Sequence, residues 1–141
     1  MGAAMLRHAL AAEGPALRAI PVVSAGVSAR RGEAMTDYSA AALKKVGIPA
    51  GDHASQPVTQ ELLDRALLVL CMTEAHRASI RAIARPVPRH LLLFRELVRP
   101  PTENPEVEDP YGGPFQAYES SRDEMVEAIP AIVQFLKTLK N

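Results

Sequence analysis

The chain is poor in the residues that staple, span or stack. It has one cysteine, Cys71, so no disulfide can form within it. That usage suits a reducing compartment, and a cytoplasmic location is expected. There is no tryptophan, and aromatic residues make up 4% of the chain. Stacking on exposed bases is therefore a poor prospect. Neither sign of charge dominates, with 16 Lys+Arg against 16 Asp+Glu. A net charge of zero gives no electrostatic reason to expect nucleic acid or a membrane surface as partner. No apolar run approaches the roughly 20 residues of a membrane span. The first residues show no basic segment leading into a long apolar one, so no signal peptide is expected. What remains is a chain of 141 residues, enough for one domain with a proper core. No repeat, low-complexity tail or composition break divides residues 1–141, so a single domain is expected.

Several segments have legible periods. Leu6, Ala9 and Leu10 lie among small residues ahead of Gly14-Pro15, and the spacing predicts a helix over Gly2–Glu13. Ile20 to Ala25 is short, β-branched and closed by Gly26, which reads as a strand. Pro21 lacks an N–H and belongs at a strand start or edge. Thr36 and Asp37 can cap a helix through Val46, with Gly47 as its terminator. Thr59 opens a short helix. Leu67 to Cys71 is a continuous apolar run, the pattern of a strand buried on both faces. Thr73 then caps a helix to Ile83. His90 to Phe94 is a further apolar run. Residues 100–114 hold five of the 12 prolines and read as a long loop. Phe115 to Lys140 is a long amphipathic helix with Tyr118, Met125, Ile129, Ile132, Val133 and Leu136 on its apolar face. Strands alternating with helices predict a parallel α/β sheet covered on both sides.

Five segments, in order, carry a resemblance. They are Met1-Gly2-Ala3-Ala4-Met5-Leu6-Arg7, Val23-Ser24-Ala25-Gly26, Gly47-Ile48 with His53-Ala54-Ser55-Gln56, Leu70-Cys71-Met72-Thr73, and Asp109-Pro110-Tyr111-Gly112-Gly113. In order and spacing they resemble the low-molecular-weight protein tyrosine phosphatases. The Gly-Gly after Tyr111 resembles the bacterial branch, which includes protein-arginine phosphatases. The resemblance implies a three-layer, flavodoxin-like parallel sheet of order 2-1-3-4, flanked by helices. It also implies a reaction without metal or cofactor. A thiolate attacks phosphorus in line and forms a phosphocysteine, and an Asp protonates the leaving group and then activates water. Asp109 matches that acid, and Tyr111 matches the aromatic wall of the pocket. Ser24 and His53 match the residues supporting the phosphate loop. The substrate implied is a phosphorylated protein, bearing phosphotyrosine or phosphoarginine.

The family's first strand and its Cys-x5-Arg-Ser-Pro loop match nothing in the 141 residues. The expected sheet therefore lacks its central first strand, and the residues as they stand are expected to be inactive. A non-catalytic pseudophosphatase that binds a partner is the alternative. An arsenate reductase of the same fold needs extra redox cysteines, which one Cys does not supply. Cys71 does precede Arg77 with five residues between. The intervening Met72-Thr73-Glu74-Ala75-His76 has no Gly or Asn to turn N–H groups inward, and Glu74 would repel a phosphate. The apolar run before Cys71 predicts a buried, neutral thiol instead. Without the resemblance, Asp109-Pro110 reads as a turn or cap. Tyr111 then reads as a loop aromatic, His53 as a structural histidine and Ser24 as an ordinary strand-end serine.

Overall fold

The computed structural model describes residues 1–26, 37–49 and 56–140. Helix α1 (Gly2–Ala11) is followed by a single turn, α2 (Pro15–Arg18), which the sequence pattern does not resolve from the loop. Pro15 stands at its first position, where a missing N–H is harmless. Helix α3 (Asp37–Lys45) ends before Gly47, whose φ of +77° is left-handed backbone that glycine adopts without strain. Helix α4 (Gln60–Arg65) and helix α5 (Glu74–Ile83) start as expected. The hydroxyls of Thr59 and Thr73 accept from the N–H groups of Leu62 and His76. Strands β1 (Val69–Cys71) and β2 (Leu91–Leu93) flank α5, and α6 (Phe115–Lys140) closes the chain.

The sheet among the described residues is β1 and β2, parallel, with Val69 opposite Leu91 and Cys71 opposite Leu93. Helices cover both of its faces, as the unbroken apolar run of β1 requires. Cys71, Leu91 and Leu93 pack under α5 with Leu63, Ile80 and Ala84. Leu68, Leu70 and Met72 alternate to the other face and meet the larger core of α1 and α6. Met5, Leu10, Leu43 and Ile132 are the largest side chains buried there, with Val107 from the long loop. No helix of the described residues is long and apolar enough to cross a membrane.

One expected element differs. The strand expected at Ile20–Ala25 is not part of a ladder. Among the described residues only Gly26 bridges, in parallel with Pro57. A strand exists only through its partner, and here side chains take the carbonyls instead. The Arg7 guanidinium donates to the Val22 carbonyl at 2.7 Å, and the Gln56 amide donates to that of Ser24 at 3.0 Å.

Candidate active site

The apolar repeat of α6 and the first turn of α1 meet at the C-terminal end of β1. Gly2 makes this meeting possible. A Cβ built on it would stand 2.9 Å from Met72 Cε and 3.0 Å from Phe94 Cε2. The N-terminal turn of α1 thus lies directly on the strand end. Beside it opens a cavity of about 230 Å³, lined by Gly2, Met72, His76, Asp109, Tyr111 and Tyr118 among others. The cavity is mainly apolar with one acid-bearing rim, the usual make-up of a small-ligand site.

Asp109 lies on that rim and is exposed. Its Oδ1 accepts the Tyr111 N–H at 3.0 Å, a local turn that fixes one carboxylate oxygen. Tyr111 is 77% exposed, so it flanks the cavity mouth and does not seal it. The loop that carries both residues is clamped from three sides. Val107 is buried and its N–H donates to the Met72 carbonyl at 2.7 Å, which ties the loop to β1. The buried Ser121 hydroxyl of α6 donates to the Glu108 carbonyl at 3.1 Å. Arg95 Nη1 donates to the carbonyls of Asn104 and Glu106 and to the Glu124 carboxylate, the last at 2.7 Å. The Glu106 carboxylate in turn accepts the Glu74 N–H, capping α5 from outside. A Pro-rich loop becomes a fixed platform, with Asp109 at its tip.

The other candidates are spread out. Ser24 lies on the extended segment, and its carbonyl takes the Gln56 amide. His53 lies outside the described residues. Sequence reasoning missed Arg95, Glu106, His76 and Ser121. The first three carried no period or motif. Ser121 lies four residues before Met125 in an apolar-faced helix, which was a signal.

Cys71 is buried beneath α5 and is not among the residues lining the cavity. Burial pushes its thiol from 9.0 up to about 11, against the weaker pull of Arg77. Arg77 is already committed to Glu74 and Glu96, and it holds the Glu74 carboxyl below its ordinary value. Such a thiol is a poor nucleophile. Iodoacetamide at pH 8 should label Cys71 much more slowly in the folded chain than in urea. Equal rates would show an accessible thiolate. Between pH 9 and 11 the unfolded chain releases a proton that the folded chain keeps, so stability is lost as pH rises through that window.

Comparison with known proteins shows the family and the fold. The model of the family described as low molecular weight phosphotyrosine protein phosphatase matches residues 1–141. A protein-arginine-phosphatase of Bacillus subtilis (strain 168) is 33% identical over 118 residues, 84% of this chain and 77% of that protein. A protein-arginine-phosphatase of Geobacillus stearothermophilus is 30% identical over 126 residues, 89% of this chain and 83% of that protein. A solved arginine phosphatase, a cysteine-to-serine mutant with a phosphorylated active-site serine, superposes with a TM-score of 0.84 at 30% identity. The superposition covers 96% of this chain and 86% of that one.

Proposed function

This chain belongs to the low molecular weight phosphotyrosine protein phosphatase family, and we propose that its cavity serves the removal of phosphate from phosphoproteins, with Asp109 as the general acid and a Cys-x5-Arg loop that these 141 residues do not contain as the source of the nucleophile. The carrying observation is the platform: an exposed carboxylate at the cavity rim, on a loop clamped to β1, α6 and Arg95. Asp109 donates a proton to the departing oxygen of phosphotyrosine, or to the departing nitrogen of phosphoarginine, and then takes one from the attacking water. Tyr111 flanks the phosphorylated side chain. Ser24 and His53 match the positions that support the phosphate loop in the family. The whole of residues 1–141 is one domain in this reading, working in the cytoplasm. The relatives named as protein-arginine-phosphatases favour phosphoarginine.

In this reading the nucleophile and the phosphate-binding Arg of the family match none of the 141 residues. The same reading sets the family's first strand between the extended segment at 21–25 and β1, where no described residue forms a ladder. A second reading, a partner-binding module without catalysis, is favoured by the one thiol being buried away from the cavity.

An aryl phosphate assay separates the possibilities. The 141-residue polypeptide and its Cys71→Ser variant should show the same background rate. The polypeptide preceded by a strand and a Cys-x5-Arg loop should turn substrate over. Robust turnover by the 141 residues, abolished in Cys71→Ser, would make Cys71 the nucleophile. No turnover in the extended form would favour the binding module.

A further inference from the structure

The net charge of zero conceals a strong segregation. Residues 77–99 carry six arginines and one glutamate, whereas residues 102–127 carry eight carboxylates and one arginine. Two of the six arginines are consumed internally, Arg77 by Glu74 and Glu96, and Arg95 by Glu124. Arg81, Arg85 and Arg89 are exposed and make no ion pair among the described residues, though the charge of Arg81 is felt by Glu74 at the start of α5. They alternate with Ile83, 60% exposed, and Val87, 42% exposed. Arg81 and Ile83 both belong to α5 and, two residues apart, point to different sides of it. What sets the stretch apart is three exposed arginines and no acid in residues 81–89, where an ordinary solvated face would intersperse the two signs. The Arg85 N–H is fixed by Gln60 Oε1 at 2.8 Å, and its guanidinium lies on the Arg81 carbonyl at 3.1 Å. The start of the stretch is thus ordered.

Its position relative to the cavity is set by α5. His76 lines the cavity, and the helix runs from there toward Arg81 and Ile83. At 1.5 Å per residue these lie ~7 and ~10 Å along the axis from His76. An extended polypeptide covers that distance in about two to four residues. The cavity is also lined by the acidic loop, through Glu108 and Asp109. An acidic segment is repelled by those carboxylates and drawn toward the arginine-bearing C-terminal end of α5.

We propose that the Arg81–Arg89 stretch is a docking strip for an acidic segment, bearing apolar residues, that flanks the phosphorylated residue of the substrate protein. The proposal rests on the phosphoprotein reading for the identity of the occupant, and on the surface itself for the binding. Each exposed ion contact contributes a factor of about 2–5 at low salt, and several together give a usable affinity. The Debye length shrinks from about 10 Å at 0.1 M salt to about 3 Å at 1 M, so binding weakens steeply with salt.

The test is fluorescence anisotropy with a labelled, unphosphorylated peptide of alternating Glu and Leu, titrated with the 141-residue chain at 50 and 500 mM salt. Binding at low salt should fall at least about 10-fold in the Arg81→Glu/Arg85→Glu variant. It should fall by a smaller factor in Arg89→Glu, which lies outside the helix and serves if the double variant loses its thermal transition. Arg18→Glu, on α2, should bind as the parent does. Unchanged binding in both strip variants overturns the proposal. So does equal binding of a single-stranded oligonucleotide of the same charge, which would make the strip a general polyanion surface. Arg81-dependent dimers in sedimentation would assign the strip to a second copy and likewise overturn it. The peptide carries no phosphate, so these outcomes stand whether or not Asp109 proves catalytic.

Discussion

Replacing Asp109 with Ala, in the form that carries the nucleophile loop, should slow turnover of substrates with poor leaving groups by ~10²–10⁴-fold. One oxygen of Asp109 accepts the Tyr111 N–H, which orients the carboxyl and leaves the other oxygen for the leaving group. The loop beneath it cannot swing, because Val107, Glu108 and Asn104 are each tied by a hydrogen bond to a different part of the fold. A proton donor held in this way assists most where the leaving group is most basic. An aryl phosphate with an acidic phenol should therefore lose little, and an unactivated phenol or a guanidine should lose most. Asp109→Asn keeps an acceptor for Tyr111 but no transferable proton, so it should behave like Asp109→Ala. Initial rates across a series of aryl phosphates check this. Equal rates for Asp109→Ala and the parent on every leaving group would remove Asp109 from the mechanism.

The parts of this molecule legible in its sequence are those governed by short-range rules. Thr59 and Thr73 before their helices, Gly47 after one, and the apolar runs at 67–71 and 90–94 all act within a few residues of themselves. The family was legible through its resemblance, since Asp109-Pro110-Tyr111-Gly112-Gly113 is a distinctive string. The segment at 20–25 shows the limit. Its composition is that of a strand, but pairing depends on a neighbour distant in sequence, and the carbonyls of Val22 and Ser24 went to side chains. The clamps on the loop that carries Asp109 were illegible for the same reason. Arg95 reads as a surface arginine until the loop at 104–106 and Glu124 close around it.

Arg122 carries the second large effect. It falls four residues after Tyr118 and three before Met125, on the apolar stripe of α6, and is 7% exposed. A charge there needs partners. Nη1 donates to the carbonyl of Ala42, a fully buried residue of α3, at 3.0 Å. Nε and Nη2 engage Asp123, which is largely exposed. The ion pair itself contributes little, because Asp123 regains water when Arg122 is removed. The bond to Ala42 is different, since that carbonyl has no solvent to turn to. A charged hydrogen bond of this kind is worth ~1.5–3 kcal/mol, and leaving its acceptor buried and unpaired costs a comparable desolvation penalty. Arg122→Met keeps the aliphatic stem that packs between α3 and α6 and deletes only the polar end. It should lower stability by ~2–3 kcal/mol in urea unfolding, with Asp123→Ala within ~0.5 kcal/mol of the parent. Against a total of ~5–15 kcal/mol for a domain, that is a visible fraction. A loss in Asp123→Ala as large as in Arg122→Met would transfer the stabilisation from the Ala42 carbonyl to the ion pair. No loss in either would mean that α3 is held to α6 by apolar packing and by Tyr38, whose ring meets Phe115 and Tyr118 edge-on.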